Sequence, residues 1–337
     1  MSGAYPDAEQ IKKLVGEAQH IVILQADNPD ADSLGSSLAL EQILHELGKE
    51  PLLYCGIDMP GYLKYLSGWD RVDNQLPPKF DLSIIVDTST LSLFERLIES
   101  GAQGWISSKP CIVLDHHGEV SNLIPFATVT INDPGASSTG ELIYHLAKQL
   151  NWPMNLAAQE FMMTAVLGDT QGLSNNLATA ETYRVLADMV DNKVDRPKLE
   201  EARREYNKMP QTIFKYKANL INRTEFHVDG RLAIVSVPQT EINEFSPLYN
   251  PAPLIQGDML QTEAVGVAVV FKQYGDGKVT AAIRCNPLFP VGADLAEHFG
   301  GGGHAYASGF KVQDGRTYET IKLDCIKTVT ELIAKLK

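Results

Sequence analysis

Cysteine is scarce in this chain and never closely paired. The four cysteines, Cys55, Cys111, Cys285 and Cys325, are spread over 337 residues with no CxxC spacing. That argues against a disulfide framework or a thiolate zinc site, and it favours reduced core thiols in a cytoplasmic protein. Long apolar runs are missing too. The longest candidate, near residues 264–271, is strand-sized, against the roughly 18 residues that a membrane span needs, so no membrane association is expected. The opening Met1-Ser2-Gly3-Ala4-Tyr5-Pro6-Asp7 has neither a basic segment nor an apolar core, so no secretion signal is expected. Cations are in deficit: 29 Lys and Arg stand against 42 Asp and Glu, a net charge of -13. A groove for duplex DNA must neutralise phosphates, so stable duplex binding is not expected. A small anionic ligand is still allowed, because metal ions and a few arginines can reverse the potential inside a carboxylate-rich cleft.

What is present is an alternation. Residues 21–25, 51–55, 82–87 and 111–115 are short apolar or β-branched runs, and helical patterns occupy 34–47, 139–150, 157–167 and 180–190. Gly48 closes the first of these helices, as a C-terminal cap should. Continuous apolar runs between helical segments predict parallel strands buried on both faces, with a site at their carboxyl ends. Residues 191–209 are densely charged and read as a solvated connecting helix. Strand patterns return at 231–237, 264–271 and 279–285, with helices near 293–299 and 318–335. The expected fold class is α/β: a parallel-sheet domain over 1–190, a helical linker over 191–215, and a smaller α+β domain over 216–337.

Acidic side chains stop several of these runs. Asp87 follows Ile84-Ile85-Val86, Asp169 follows Thr164-Ala165-Val166-Leu167-Gly168, and Cys111-Ile112-Val113-Leu114 leads into Asp115-His116-His117. The first run leads into Asn28-Pro29-Asp30-Ala31-Asp32, a turn with two carboxylates at i and i+2. Taken alone, each acid also reads as a helix cap. Together, at equivalent ends, they would accumulate negative charge at a cost of several kcal/mol unless cations neutralise it. A mixed carboxylate–imidazole set suits Mn2+, and less decisively Mg2+, Fe2+ or Co2+. Such ions, one or two of them, are suited to phosphate displacement.

The second half contributes Gly300-Gly301-Gly302-Gly303-His304, whose bare backbone can approach a phosphate. It also reads as a flexible loop. It is neither a Walker loop, since no GK[ST] follows, nor a dinucleotide fingerprint. Arg284 offers a planar guanidinium for bidentate phosphate contact and equally reads as a surface strand arginine.

Pro29-Asp30-Ala31-Asp32, Asp87, Asp115-His116-His117, Asp169 and Gly301-Gly302-Gly303-His304, in this order, resemble the DHH/DHHA1 phosphoesterases over nearly the whole chain. That group includes nanoRNases, pAp phosphatases, cyclic-dinucleotide phosphodiesterases and RecJ-like exonucleases, and the compact length resembles its short-substrate branch. The resemblance implies that the first domain is the catalytic DHH domain and the last a substrate-binding DHHA1 domain, with the active site in the cleft between them. It implies Asp30 and Asp87 as ligands of one ion, and Asp32, Asp87, His116 and Asp169 as ligands of the other. Asp115 and His117 would act at the nucleophile and phosphate, and Arg284, Gly301, Gly302, Gly303 and His304 would bind the substrate. The family begins the first turn with a histidine three residues before the proline. Here that position is Ala26, and Asp27 beside it is the candidate substitute ligand. The implied substrates are short nucleotides: oligoribonucleotides, linear dinucleotides or pAp. A nucleotide sensor impaired at Ala26, a cyclic-dinucleotide phosphodiesterase and an exopolyphosphatase or pyrophosphatase are the alternatives. The apolar strands are compatible with a homodimer.

Overall fold

The computed structural model describes residues 4–118, 123–206, 208–246 and 249–336. The chain divides into two compact units, Met1–Lys208 and Met209–Lys337.

In the first unit the apolar runs become strands β1 (His20–Gln25), β2 (Glu50–Cys55), β3 (Val72–Asp73), β4 (Leu82–Val86), β5 (Cys111–Asp115) and β6 (Val129–Asn132). They form one sheet in the order β3-β2-β1-β4-β5-β6, and every neighbouring pair is parallel. The helices are α1 (Ala8–Glu17), α2 (Ala31–Glu46), α3 (Glu95–Glu99), α4 (Gln103–Ile106), α5 (Thr139–Leu150), α6 (Leu156–Asp169), α7 (Ala180–Asp191) and α8 (Arg196–Tyr206). Alternate residues of one strand enter different cores. Ile21 and Ile23 pack with α2, α5 and α6, whereas Val22 and Leu24 pack with Phe94, Leu97 and Ile106 on the other face. Burial on both faces is why these strands read as unbroken apolar runs. Strand order reverses between β1 and β4, and a sheet of this kind opens a crevice at the carboxyl ends of those strands.

Helix α2 has no polar face because it lies between the sheet and α6. A Cβ on Gly35 would meet Phe161 O at 2.8 Å, so the two helices touch where α2 carries no side chain. One expectation changes here. Asp169 does not end a strand; it is the last residue of α6, the helix expected over 157–167. The charged stretch over 191–209 holds one helix, α8 (Arg196–Tyr206), as expected, set apart from α7, which ends at Asp191. No residue of α8 is buried, in keeping with its charge.

The second unit holds α9 (Gln211–Asn222), β7 (Glu225–His227), β8 (Leu232–Pro238), α10 (Gln239–Phe245), α11 (Pro251–Gln261), β9 (Val267–Gln273), β10 (Val279–Cys285), α12 (Gly292–His298), β11 (Gly302–His304), β12 (Ala307–Val312) and α13 (Tyr318–Lys335). Its sheet runs β11-β12-β10-β9-β8-β7, with β8 and β9 parallel and every other pair antiparallel. Helices α12 and α13 cover one face, α9 and α11 the other. The glycine stretch is not a free loop, since Gly302 and Gly303 pair with Gly309 and Ser308. Gly303 has φ +130, and a Cβ there would sit 2.6 Å from Ser308 Cα, so only glycine fits. All four cysteines are free and buried. Among the described residues, no helix is long and apolar enough to cross a membrane.

Candidate metal centre

The carboxyl ends of β1, β4 and β5 and the C-terminus of α6 deliver the acidic side chains to one place. After β1 the chain turns through Pro29, and Asp30 becomes the N-cap of α2. Its Oδ1 accepts the Asp32 and Ser33 amides, each at 3.0 Å, and the Ser33 hydroxyl closes a capping box. The cap reading therefore holds for Asp30, whose Oδ2 lies outside that cap. Asp32 does something else. It is fully buried, accepts the Thr139 amide at 2.7 Å on Oδ2, and accepts the Gly140 amide at 3.0 Å and the Ser36 hydroxyl at 2.9 Å on Oδ1. The two amides belong to the N-terminus of α5, which is favourable for an anion. Burial, reinforced by repulsion from Asp169, still pushes the Asp32 pKa up to about 6.

Asp87 follows β4 with φ 63, a left-handed conformation that is uncommon outside glycine. It accepts the Thr139 hydroxyl at 3.1 Å on Oδ1. Burial, followed by repulsion from Asp32, Asp30 and Asp169, raises its pKa well above the carboxylate range. Thr139, Gly140 and Ala136, which support these ligands, escaped the sequence reading. The Ser138-Thr139-Gly140-Glu141 capping pattern was the available signal, and Ser138 does cap α5.

His116 is the hub. Its Nε2 lies 2.9 Å from Asp169 Oδ2, 3.5 Å from Asp32 Oδ2 and 3.7 Å from Asp87 Oδ1, yet it makes no hydrogen bond of acceptable geometry. Its Nδ1 is 3.3 Å from Ala136 O. A proton on Nδ1, donated to that carbonyl, leaves the Nε2 lone pair facing three carboxylates, the arrangement of a metal-ligating histidine. Burial alone would lower the His116 pKa, but Asp169 and Asp32 outweigh it and raise it to about 9. Two ligand groups result, Asp32–His116–Asp169 and Asp87–His116–His117, each with ligand atoms within 4.8 Å of one another. An orphaned buried imidazole nitrogen among carboxylates with raised pKa values fits a divalent cation.

Asp115 supports His117, the exposed member of the second group. The Asp115 carboxylate is fully buried and lies 2.8 Å from His117 Nδ1, while the His117 side chain is 56% exposed. Burial raises the Asp115 pKa, but hydrogen bonds from His117 and Ser89 outweigh it and hold the group below its usual value. The same bond raises the His117 pKa.

Asp27 is not in either ligand group. Its Oδ2 accepts the Arg96 amide at 2.8 Å, and its Oδ1 packs against Gly56, where a Cβ would approach to 2.2 Å. Ala26 is buried, its carbonyl facing the Cys55 thiol at 3.3 Å. In the second unit Arg284 is exposed on β10 and pairs with Ala307, which on its other side pairs with the His304 backbone. The His304 side chain lies outside the described residues.

Residues 20–168 match the model of the DHH family, N-terminal domain. The chain carries a DHH-family N-terminal domain. The DHH family consists of phosphoester hydrolases, and this chain belongs to that class of enzyme. It is 25% identical over 299 residues to the bifunctional oligoribonuclease and PAP phosphatase NrnA of Bacillus subtilis, covering 87% of this chain and 89% of that protein. The protein of that name from Thermus thermophilus is 27% identical over 307 residues, 90% of this chain and 86% of its own. An exopolyphosphatase-related protein from Bacteroides fragilis superposes with a TM-score of 0.83 at 20% identity, over 99% of both chains. That likeness shows that both units share its fold. Asp30, Asp32, Asp87, Asp115, His116 and His117 fall within the DHH match, and Asp169 directly follows its last residue.

Proposed function

We propose that the chain hydrolyses phosphoester bonds in short nucleotides, namely oligoribonucleotides, linear dinucleotides or pAp, with the aid of a divalent metal. The observation that carries this reading is the His116 imidazole, whose Nε2 faces Asp169, Asp32 and Asp87 without a hydrogen bond. Asp32, Asp87, His116 and Asp169 would hold one ion, with Asp30 and Asp87 reaching a second. Mn2+ is the ion the donor types favour. When bound, such an ion supplies Lewis-acid polarisation of the phosphate and a water of lowered pKa.

The remaining work falls to the chain's own residues. Asp115, kept ionised, fixes the His117 ring and favours its protonated form. The exposed part of that ring then offers a proton donor to the leaving oxygen. The amides of Thr139 and Gly140 hold Asp32 in one orientation, so the ligand pays no reorganisation on binding. Arg284, His304 and the Gly301–Gly303 backbone are assigned to the substrate phosphate. In support, Arg284, Ala307 and His304 share one row of the second sheet.

The relatives named above act on oligoribonucleotides and PAP by their names, which is the ground for preferring nucleotides over polyphosphate. The test is hydrolysis, with Mn2+ present, of pAp, a linear dinucleotide, a cyclic dinucleotide, a short RNA and inorganic polyphosphate. Turnover of pAp, the linear dinucleotide or the short RNA supports the reading; turnover confined to inorganic polyphosphate would replace it. Because Ala26 carries no ligand atom and Asp27 Oδ2 is held by the Arg96 amide, the first ion is expected to bind more weakly. Ala26→His should then strengthen Mn2+ binding.

A further inference from the structure

A cavity of about 790 Å3 opens within the first unit, bounded by α8, the C-terminal turn of α6 and the segment after β2. Its volume is that of a small-molecule site. It shares a wall with the metal centre. Ala31 and Gly168 line it, and a Cβ on Gly168 would lie 2.7 Å from the Ala31 Cβ, so these residues are in contact. Ala31 stands between Asp30 and Asp32, and Gly168 directly precedes Asp169. The cavity therefore backs onto three ligand-bearing residues.

Its charge runs against that of the chain. Arg196, Arg203 and Arg204 line it, and Glu200 is the single carboxylate among the lining residues. Glu200 is shared by Arg203 and Arg204 at 2.7 and 3.0 Å, and Arg196 has no ion-pair partner among the described residues. Three guanidinium groups against one carboxylate, in a chain of net charge -13, make a local anion site. The neighbouring wall is aromatic. Tyr62 donates its hydroxyl to Pro29 O at 2.7 Å, so the metal-bearing turn anchors a ring that is itself 55% exposed. An anchored, exposed ring is a platform on which a base can stack.

We infer that this cavity is a subsite for the part of a short oligonucleotide that is not cleaved, with a phosphate on Arg196 and Arg204 and a base on Tyr62. The inference rests on the short-nucleotide reading of the metal centre and adds to it where the rest of the substrate lies. It gives the first unit its own means of recognising a nucleotide, beyond the metal ligands.

Binding of a 5'-phosphorylated diadenosine dinucleotide to the full chain, measured in EDTA at fixed salt, tests it. Arg196→Glu with Arg204→Glu should weaken binding roughly tenfold or more, and Tyr62→Ala should weaken it about fivefold or more. Lys13→Glu, an equal charge change per site at an exposed position outside the cavity lining, should leave it unchanged. The assignment is overturned if the double arginine variant binds as the wild type does. It is also overturned if Lys13→Glu causes a comparable loss, or if the wild type shows no binding below about 1 mM. Because all four residues are exposed, melting temperatures close to wild type are expected and confirm folding. A wild-type chain that binds as described yet releases no nucleotide with Mn2+ would sink the short-nucleotide substrate and leave the subsite standing.

Discussion

His116 and Asp169 meet from different kinds of element: His116 follows the end of β5, Asp169 is the last residue of α6, and Nε2 to Oδ2 is 2.9 Å. Neither atom is spent on capping its own element. Each is left for an ion, and the ion would tie the sheet to the helix. Replacing either should disable both binding and turnover. His116→Ala and Asp169→Asn are each expected to lower Mn2+ affinity, seen by calorimetry, and to reduce turnover by about 100-fold or more.

Asp115 touches His117 and no metal-facing atom of the Asp32–His116–Asp169 group, so its removal should separate positioning from ligation. Asp115→Asn keeps the shape of a fully buried side chain and removes the charge that fixes the ring. Turnover is expected to fall roughly 10- to 100-fold while Mn2+ affinity changes much less. Equal losses in both measurements would place Asp115 among the ligands instead.

Close approach of α2 and α6 sets the Asp32–Asp169 spacing, and Gly35 permits it. Gly35→Ala puts a methyl group 2.8 Å from Phe161 O and 3.2 Å from the Ala165 Cβ. The helices must separate, which is expected to cost about 1–3 kcal/mol by chemical denaturation. Mn2+ affinity should drop in the same variant, although Gly35 touches no ligand.

Glu141 links stability to pH away from the ligands. Its carboxylate is fully buried and accepts the Ser137 hydroxyl and, at 3.3 Å, the Ser137 amide, with His145 Nε2 at 3.7 Å. Burial would raise its pKa, but hydrogen bonds from His145, Ser137 and Thr182 outweigh it and hold it below 4.5. A depressed carboxylate stabilises the fold fully above its unfolded value and loses that contribution as pH falls through the folded value. Glu141→Gln should therefore be less stable than wild type by about 2 kcal/mol at pH 7. The difference should shrink as pH drops below 4.5 in urea titrations.

The strands at the heart of the first unit were legible because burial on both faces leaves unbroken apolar runs at β1, β4 and β5. The helix ahead of Asp169 was legible too, over 157–167, and only the place of Asp169 as the last residue of that helix, rather than at a strand end, came from the fold. Asp30 and Asp32 could not be told apart by type, because one caps α2 and the other accepts amides from α5, more than a hundred residues away. β6 is four residues long and alternates buried with exposed positions, too little pattern for its length. The glycines of β11 carry no side-chain signal for a strand; their pairing comes from β12. The arginine-lined cavity was illegible for a similar reason, since α8 reads only as a charged helix until the fold brings it beside Tyr62 and Gly168.

The most direct test of the metal-centred account is the rate of mononucleotide release from a 5'-phosphorylated dinucleotide, first in EDTA and then after adding Mn2+, for the wild type and His116→Ala. The account predicts no release in EDTA, full recovery on adding Mn2+, and no recovery in the variant. An undiminished rate in EDTA, or a His116→Ala rate equal to wild type, would contradict it.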